Sequence, residues 1–174
     1  MRSSFRTTIP TDGPVKNIVP EPLLPDLVIV SRQRAVCYGR ERLSAIVRAA
    51  LPACVAVSRR LGGPLAGLRA VECSVVGSRA MAKIHRKFLN ERGATDVITF
   101  PYGEIVVCAT VAASRAPEFG HTVTDELALY CIHGLLHLAG HDDLRPADAE
   151  PMQREQEKIL KSARKSAGRA LIRT

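Results

Sequence analysis

The stretch from Glu126 to Asp143 constrains the fold more than any other part of the chain. Leu127, Ala128, Cys131, Ile132, Leu135, Leu136 and Leu138 recur at helical spacing, and a helix apolar over most of its circumference has to be buried. The rest of the chain must therefore supply layers around it. Within this helix His133 and His137 stand four residues apart, which stacks two imidazoles on one face, roughly 6 Å from Cβ to Cβ, within reach of one metal ion. Gly140 follows as a helix stop, because glycine enters the left-handed conformation at no steric cost. Once the chain turns back, Asp143 becomes the candidate third ligand.

Two histidines in a buried helix can also be core residues bonded to backbone carbonyls. For a bare HxxxH pair that is the simpler reading. Four features favour a metal site: the stop at Gly140, the carboxylate of Asp143, two further potential ligands in His141 and Asp142, and three of the five histidines within nine residues. Two imidazoles and a carboxylate suit one zinc ion or another first-row divalent ion, and three protein ligands leave a position open for water. In HExxH metalloproteases the residue after the first histidine is a glutamate acting as general base. Here it is Gly134. The ligand arrangement is thus zincin-like without the protease base, which disfavours peptide hydrolysis.

The 174 residues suffice for one domain with its own core. A net charge of +8 and a pI near 9.7 favour a polyanionic partner, most commonly nucleic acid. Cys37, Cys54, Cys73, Cys108 and Cys131 are odd in number and lack CxxC spacing, so they read as mostly buried free thiols in a reducing cytoplasm. No apolar run approaches the roughly 18 residues that span a bilayer, and the N-terminal residues lack the apolar segment of a secretion signal. A cytoplasmic protein with no membrane partner is expected.

Residues 1–26 hold five prolines and are expected to form a flexible leader. A single domain is expected over 27–163, and a basic, frayed tail over 164–174. Within the domain, strands are predicted at Leu27–Val30, Leu68–Val76, Thr95–Phe100 and Glu104–Ala109. The last two flank Pro101-Tyr102-Gly103 and form a hairpin, unless one of them pairs in parallel with an earlier strand. Helices are predicted over Gly39–Gly62, kinked or divided at Pro52, and over Arg79–Asn90, with Ser78 as N-cap and Met81, Ile84 and Phe88 buried. A short helix over Val111–Glu118 precedes the histidine helix, which Thr122 or Thr124 caps, and a last helix begins at Pro146. The fold class is α+β, one small mixed sheet of about four strands with surrounding helices. Arg86, Lys87 and Arg92 close the second helix, where cations complement its dipole and stand as candidate phosphate contacts.

The segments Thr95-Asp96-Val97-Ile98-Thr99-Phe100, Gly103-Glu104-Ile105 and His133-Gly134-Leu135-Leu136-His137-Leu138-Ala139-Gly140-His141-Asp142-Asp143 resemble, in order and spacing, those of the YbeY family. The resemblance covers about Leu27 to Leu160. It implies a metal-dependent, single-strand-specific endoribonuclease that matures the 3′ end of small-subunit ribosomal RNA and serves ribosome quality control, with ribosomal RNA and the small ribosomal subunit as partners. Two positions depart from the pattern. The usual third ligand in the family is histidine, where this chain has Asp143, and an arginine expected directly after the aromatic Phe88 is Leu89. Arg86 or Arg92 then stands as its substitute, and the catalytic residues beyond the metal ligands are unassigned. His141 and Asp142 are candidate proton shuttles, with simpler roles as turn residues or partners of a ligand. Two rivals are carried forward: a ribosome-assembly factor with a mainly structural metal, and a metal-dependent hydrolase of another substrate.

Overall fold

Burial of the histidine helix sets the architecture. The computed structural model describes residues 24–171, so the expected leader lies outside the described residues except at its end. In chain order the elements are β1 (Asp26–Ser31), α1 (Arg40–Leu61), a 3-10 turn (Pro64–Gly67), β2 (Ala70–Val76) and α2 (Ser78–Leu89). They continue with β3 (Val97–Phe100), β4 (Glu104–Cys108), α3 (Ala109–Arg115), a 3-10 turn (Ala116–Phe119), α4 (Val123–Leu138) and α5 (Pro146–Leu171). One four-stranded sheet has the order β1-β2-β4-β3. β1, β2 and β4 run parallel, and β3 closes the hairpin antiparallel to β4. The hairpin and the parallel pairing are thus both present, and the class is α+β.

β4 is buried on both faces, as parallel strands between helices are. Ile105 and Val107 join the main core with α1, α4 and α5, whereas Val106 and Cys108 join Met81 and Ile98 beneath α2. Twelve of the sixteen residues of α4 are buried, so the helix is enclosed on nearly every side. Thr122 caps it, its Oγ1 accepting from Asp125 N at 3.1 Å, while Thr124 instead accepts from Gly39 N at 2.9 Å and ties α4 to the start of α1. Asp125 is buried and pairs with Arg42 of α1 and Arg164 of α5 at 3.4 and 3.2 Å.

Several expectations are corrected. α1 runs unbroken through Pro52, because Leu51, Cys54 and Val55 are locked into the core on either side of that exposed residue. Ser78 is the first residue of α2 rather than its cap, which is Gly77. Phe88 is 54% exposed. His85 takes the buried position instead, its Nδ1 donating to the Gly93 carbonyl at 3.0 Å. The basic segment expected to fray continues α5 to Leu171, since Ala163 and Ala167 are buried in the main core. Cys37 is exposed, whereas the other four cysteines are buried, and burial pushes the Cys54 thiol up to about 12. No described helix is long and apolar enough to cross a membrane.

Candidate metal centre

His133 and His137 leave α4 on one face, with Nε2 atoms 2.9 Å apart. The helix then stops in a Schellman turn. Gly140 adopts φ +102°, its N–H donates to His137 O at 3.0 Å, and His141 N–H donates to Leu136 O at 3.0 Å. The reversal returns Asp143, whose Oδ2 lies 3.4 Å from His133 Nε2 and whose Oδ1 lies 3.7 Å from His137 Nε2. All three ligand atoms fall within 4.8 Å of one another. A tetrahedral zinc site with bonds of about 2.0–2.1 Å has ligand–ligand edges of about 3.3 Å. The observed separations bracket that value.

The reversal depends on Gly63, in the loop after α1. A Cβ on Gly63 would lie 2.1 Å from Ala139 C, 2.3 Å from Ala139 O and 2.4 Å from Gly140 N. Backbone against backbone, the loop after α1 clamps the end of α4. Gly134 likewise lacks a side chain for a packing reason, because a Cβ there would lie 2.6 Å from Ile105 Cγ2 and 2.9 Å from Thr99 Oγ1. A protease-type glutamate has no room at this position.

The hydrogen bonds behind the rings fix where their lone pairs point. His137 Nδ1 faces the carbonyl of His141 at 3.2 Å, and a carbonyl only accepts, so Nδ1 carries a proton, and in the neutral ring Nε2 then bears the lone pair. His133 Nδ1 faces Gln156 Oε1 on α5 at 2.8 Å, with the same result. With both rings neutral, two imine nitrogens converge with the Asp143 carboxyl group. A cation satisfies that arrangement, and the donor set fits zinc or a similar divalent ion. Gln156 was not visible as a functional residue in the sequence, since it lies 23 residues beyond His133 on another helix. Gln156→Leu removes the acceptor and is expected to weaken zinc affinity by roughly 10- to 100-fold, read by competition titration against a chromogenic chelator. Unchanged affinity would remove Gln156 from the account.

Burial, then the charge of neighbouring His133, holds the His137 pKa below its ordinary value of 6.5. The neutral, ligating form is favoured in the fold. The sign follows from linkage: as pH falls below about 6.5 the unfolded chain takes up this proton before the folded one does, so the metal-free protein loses stability through that interval. Urea midpoints of metal-free protein should fall between pH 7.5 and pH 5.5, and should fall less in His137→Gln.

His141 and Asp142 take the simpler roles. The His141 ring turns to Glu155 at 3.0 Å, and Glu155 also pairs with Arg60 at 2.7 Å. Burial alone would raise the Glu155 carboxyl, but the His141 and Arg60 hydrogen bonds outweigh it and hold the pKa below the usual range. Asp142 is exposed and accepts from Leu144 N at 3.0 Å, an Asx turn. Glu126 bonds His121 at 2.8 Å, away from the ligands.

The ligands open onto a groove of about 720 Å³ whose other wall includes Asp96, Thr99 and Pro101 from the hairpin, with Leu89 and Leu144 at its margin. The Thr99 hydroxyl is buried with no hydrogen-bond partner among the described residues. Among the described residues, no arginine or lysine lines the groove. Arg86 and Arg92 line a separate shallow pocket with Arg79 and Lys83, and Lys87 lies over the Phe88 ring at 5.0 Å. The structure thus brings Leu89 to the groove and places Arg86, Lys87 and Arg92 outside its lining.

Fold and site together define a small mixed-sheet domain with an open cluster of three groups that could hold a metal ion at the end of its central helix. A profile of the family described as Endoribonuclease YbeY matches residues 29–164, and the chain belongs to that family. A Thermobifida fusca protein named Endoribonuclease YbeY is 32% identical over 154 residues, covering 79% of this chain and 94% of the relative. A Sulfurimonas denitrificans protein of the same name is 39% identical over 99 residues, covering 52% and 70%. The solution structure of TM1509 from Thermotoga maritima is similar with a TM-score of 0.51 and 25% identity, over 79% of this chain and 88% of that one.

Proposed function

We propose that this protein is a single-strand-specific, metal-dependent endoribonuclease that uses one zinc or other first-row divalent ion. Its substrate in the cell is ribosomal RNA, cut in maturing the 3′ end of the small-subunit RNA and in ribosome quality control in the cytoplasm, with the small ribosomal subunit as partner. The observation that carries the reading is the convergence of His133 Nε2, His137 Nε2 and the Asp143 carboxylate on one groove wall in a chain of an endoribonuclease family. The net charge of +8 suits a polyanionic substrate.

When bound, a divalent ion supplies Lewis acidity toward water and a phosphodiester oxygen. The chain's own residues do the rest. His133, His137 and Asp143 hold the ion, while Gln156 and the His141 carbonyl keep both imidazoles in the ligating tautomer. Gly134 brings α4 against the sheet so that the ligands stand beside the hairpin wall. With no cation lining the groove, phosphates flanking the cut are held from outside it, by the basic residues of α2.

The test is cleavage of a single-stranded RNA and of its duplex by chelator-treated protein before and after zinc is restored, with His133→Ala in parallel. Cleavage of the single strand alone, only with metal and only in the unsubstituted chain, supports the reading. Cleavage that survives in His133→Ala contradicts it, and absence of cleavage by metal-loaded protein returns the chain to an assembly role. Product ends identify the nucleophile, since 2′,3′-cyclic phosphates require attack by the RNA's own 2′-hydroxyl.

A further inference from the structure

Outside the metal groove, the hairpin and the end of α2 gather an aromatic ladder. Of four phenylalanines and three tyrosines in the chain, three rings meet here. Phe88 and Phe100 are in edge-to-face contact with centroids 5.0 Å apart, and Phe100 stacks on Tyr102 at 5.5 Å and 21°. Phe100 is the partly buried middle ring, packed on the small core beneath α2. The outer two are 54% and 65% exposed. Exposed aromatic area on this scale is costly in water. Packing does not require it, because the buried side of α2 is already provided by Met81 and His85.

The same helix carries the densest free positive charge in the described structure. Arg79, Lys83 and Arg86 follow at helical spacing, Lys87 lies over one face of the Phe88 ring, Arg92 stands just beyond the helix, and all five are exposed. None forms an ion pair among the described residues. Glu91, the one acid between Arg79 and Arg92, faces His85 at 3.3 Å. Tyr102 lies on the other flank, its hydroxyl donating to Glu104 at 3.0 Å, beside Arg32, whose charge is paired with Glu72 at 2.9 Å. The unpaired positive charge thus lies at the α2 end of the ladder. The ladder is also continuous with the proposed cleavage site, because Leu89 next to Phe88, and Pro101 between Phe100 and Tyr102, line the metal groove.

We infer that Phe88 and Tyr102 are a stacking platform for unpaired bases of the RNA, with the cations of α2 on its backbone, delivering a single strand across the hairpin edge to the metal centre. Stacking of successive bases on side-chain rings requires bases free of their own helix, so the platform selects single strands without reading sequence. It would also hold substrate where Leu89 stands in place of an arginine. This rests on the proposed nuclease reading.

The test uses full-length, chelator-treated protein, which binds without cutting, and a 12-nucleotide single-stranded RNA carrying 2-aminopurine. Stacking on a ring is expected to alter the 2-aminopurine fluorescence. Tyr102→Leu and Phe88→Leu should each weaken binding roughly 5- to 100-fold and abolish that change, while Tyr102→Phe and Phe88→Trp retain both. Lys83→Gln with Arg86→Gln should weaken binding and flatten its salt dependence. If the wild-type chain binds the strand and both leucine variants bind it equally well with the fluorescence change intact, the platform is wrong and the nuclease reading stands. If wild-type protein binds no single-stranded RNA, both fall. A leucine variant that loses single-strand and duplex binding alike would mark a general folding or charge effect and overturn the platform.

Discussion

Gly63→Ala is expected to lower stability by about 3 kcal/mol or more, at the upper end of overpacking effects, and to lower Tm by roughly 6–12 °C for a chain of this length. The added carbon would stand 2.1 Å from the carbonyl carbon of Ala139 and 2.4 Å from the nitrogen of Gly140. Neither neighbour is a flexible side-chain tip that can swing aside. The conformation of Gly63 is ordinary for any residue, with φ −71° and ψ 163°, so the effect comes from close approach and not from backbone strain. Separating the two backbones shifts the turn that returns Asp143 to the histidines. Metal affinity should therefore fall along with Tm, whereas Gly67→Ala, where an added carbon meets nothing within 4 Å, should change neither. Thermal unfolding with and without zinc measures both effects. A Gly63→Ala protein with native Tm and native zinc affinity would mean that the clamp on α4 does not set the ligand geometry.

Asp143→Ala is expected to leave the fold intact and weaken zinc binding more than about 100-fold, beyond the usual cost of losing a residue that merely supports a ligand. Asp143 is partly exposed on the loop after α4, so its removal leaves no core cavity. It does leave two lone-pair nitrogens 2.9 Å apart with no carboxylate to complete the cluster. Asp143→His should restore binding, because imidazole is a competent ligand at the same turn. Calorimetric zinc titration separates the cases: native affinity in Asp143→Ala would exclude Asp143 as a ligand.

The centre of the molecule was legible because several signals there agree. Apolar spacing from Leu127 to Leu138, histidines one turn apart, a glycine stop and a carboxylate beyond it each fix a different part of the same helix and turn. The strands around Pro101-Tyr102-Gly103 were legible, but hairpin and parallel pairing stood as alternatives, and β4 makes both. Phe88 and His85 exchanged places for a reason no local pattern carries. Phe88, in the last turn of α2, meets Phe100 of the edge strand β3 and stays 54% exposed, while His85, with a carbonyl partner, fills the interior. The reach of α5 was hidden because its charged sequence suggests fraying. Ala163 and Ala167 extend the buried line of Met152, Ile159 and Leu160 along the core, and Arg164 reaches the buried Asp125. Gln156, Gly63 and the free charge of α2 outside the groove all depend on contacts between distant segments. They emerge only once the helices are placed.

A zinc-edge anomalous difference map from crystals of the zinc-loaded protein tests the central claim most directly. The account requires one strong peak about 2.0–2.2 Å from His133 Nε2, His137 Nε2 and an Asp143 oxygen, with Gln156 still bonded behind His133. A map with Asp143 turned to solvent and no peak between the two histidines would contradict it.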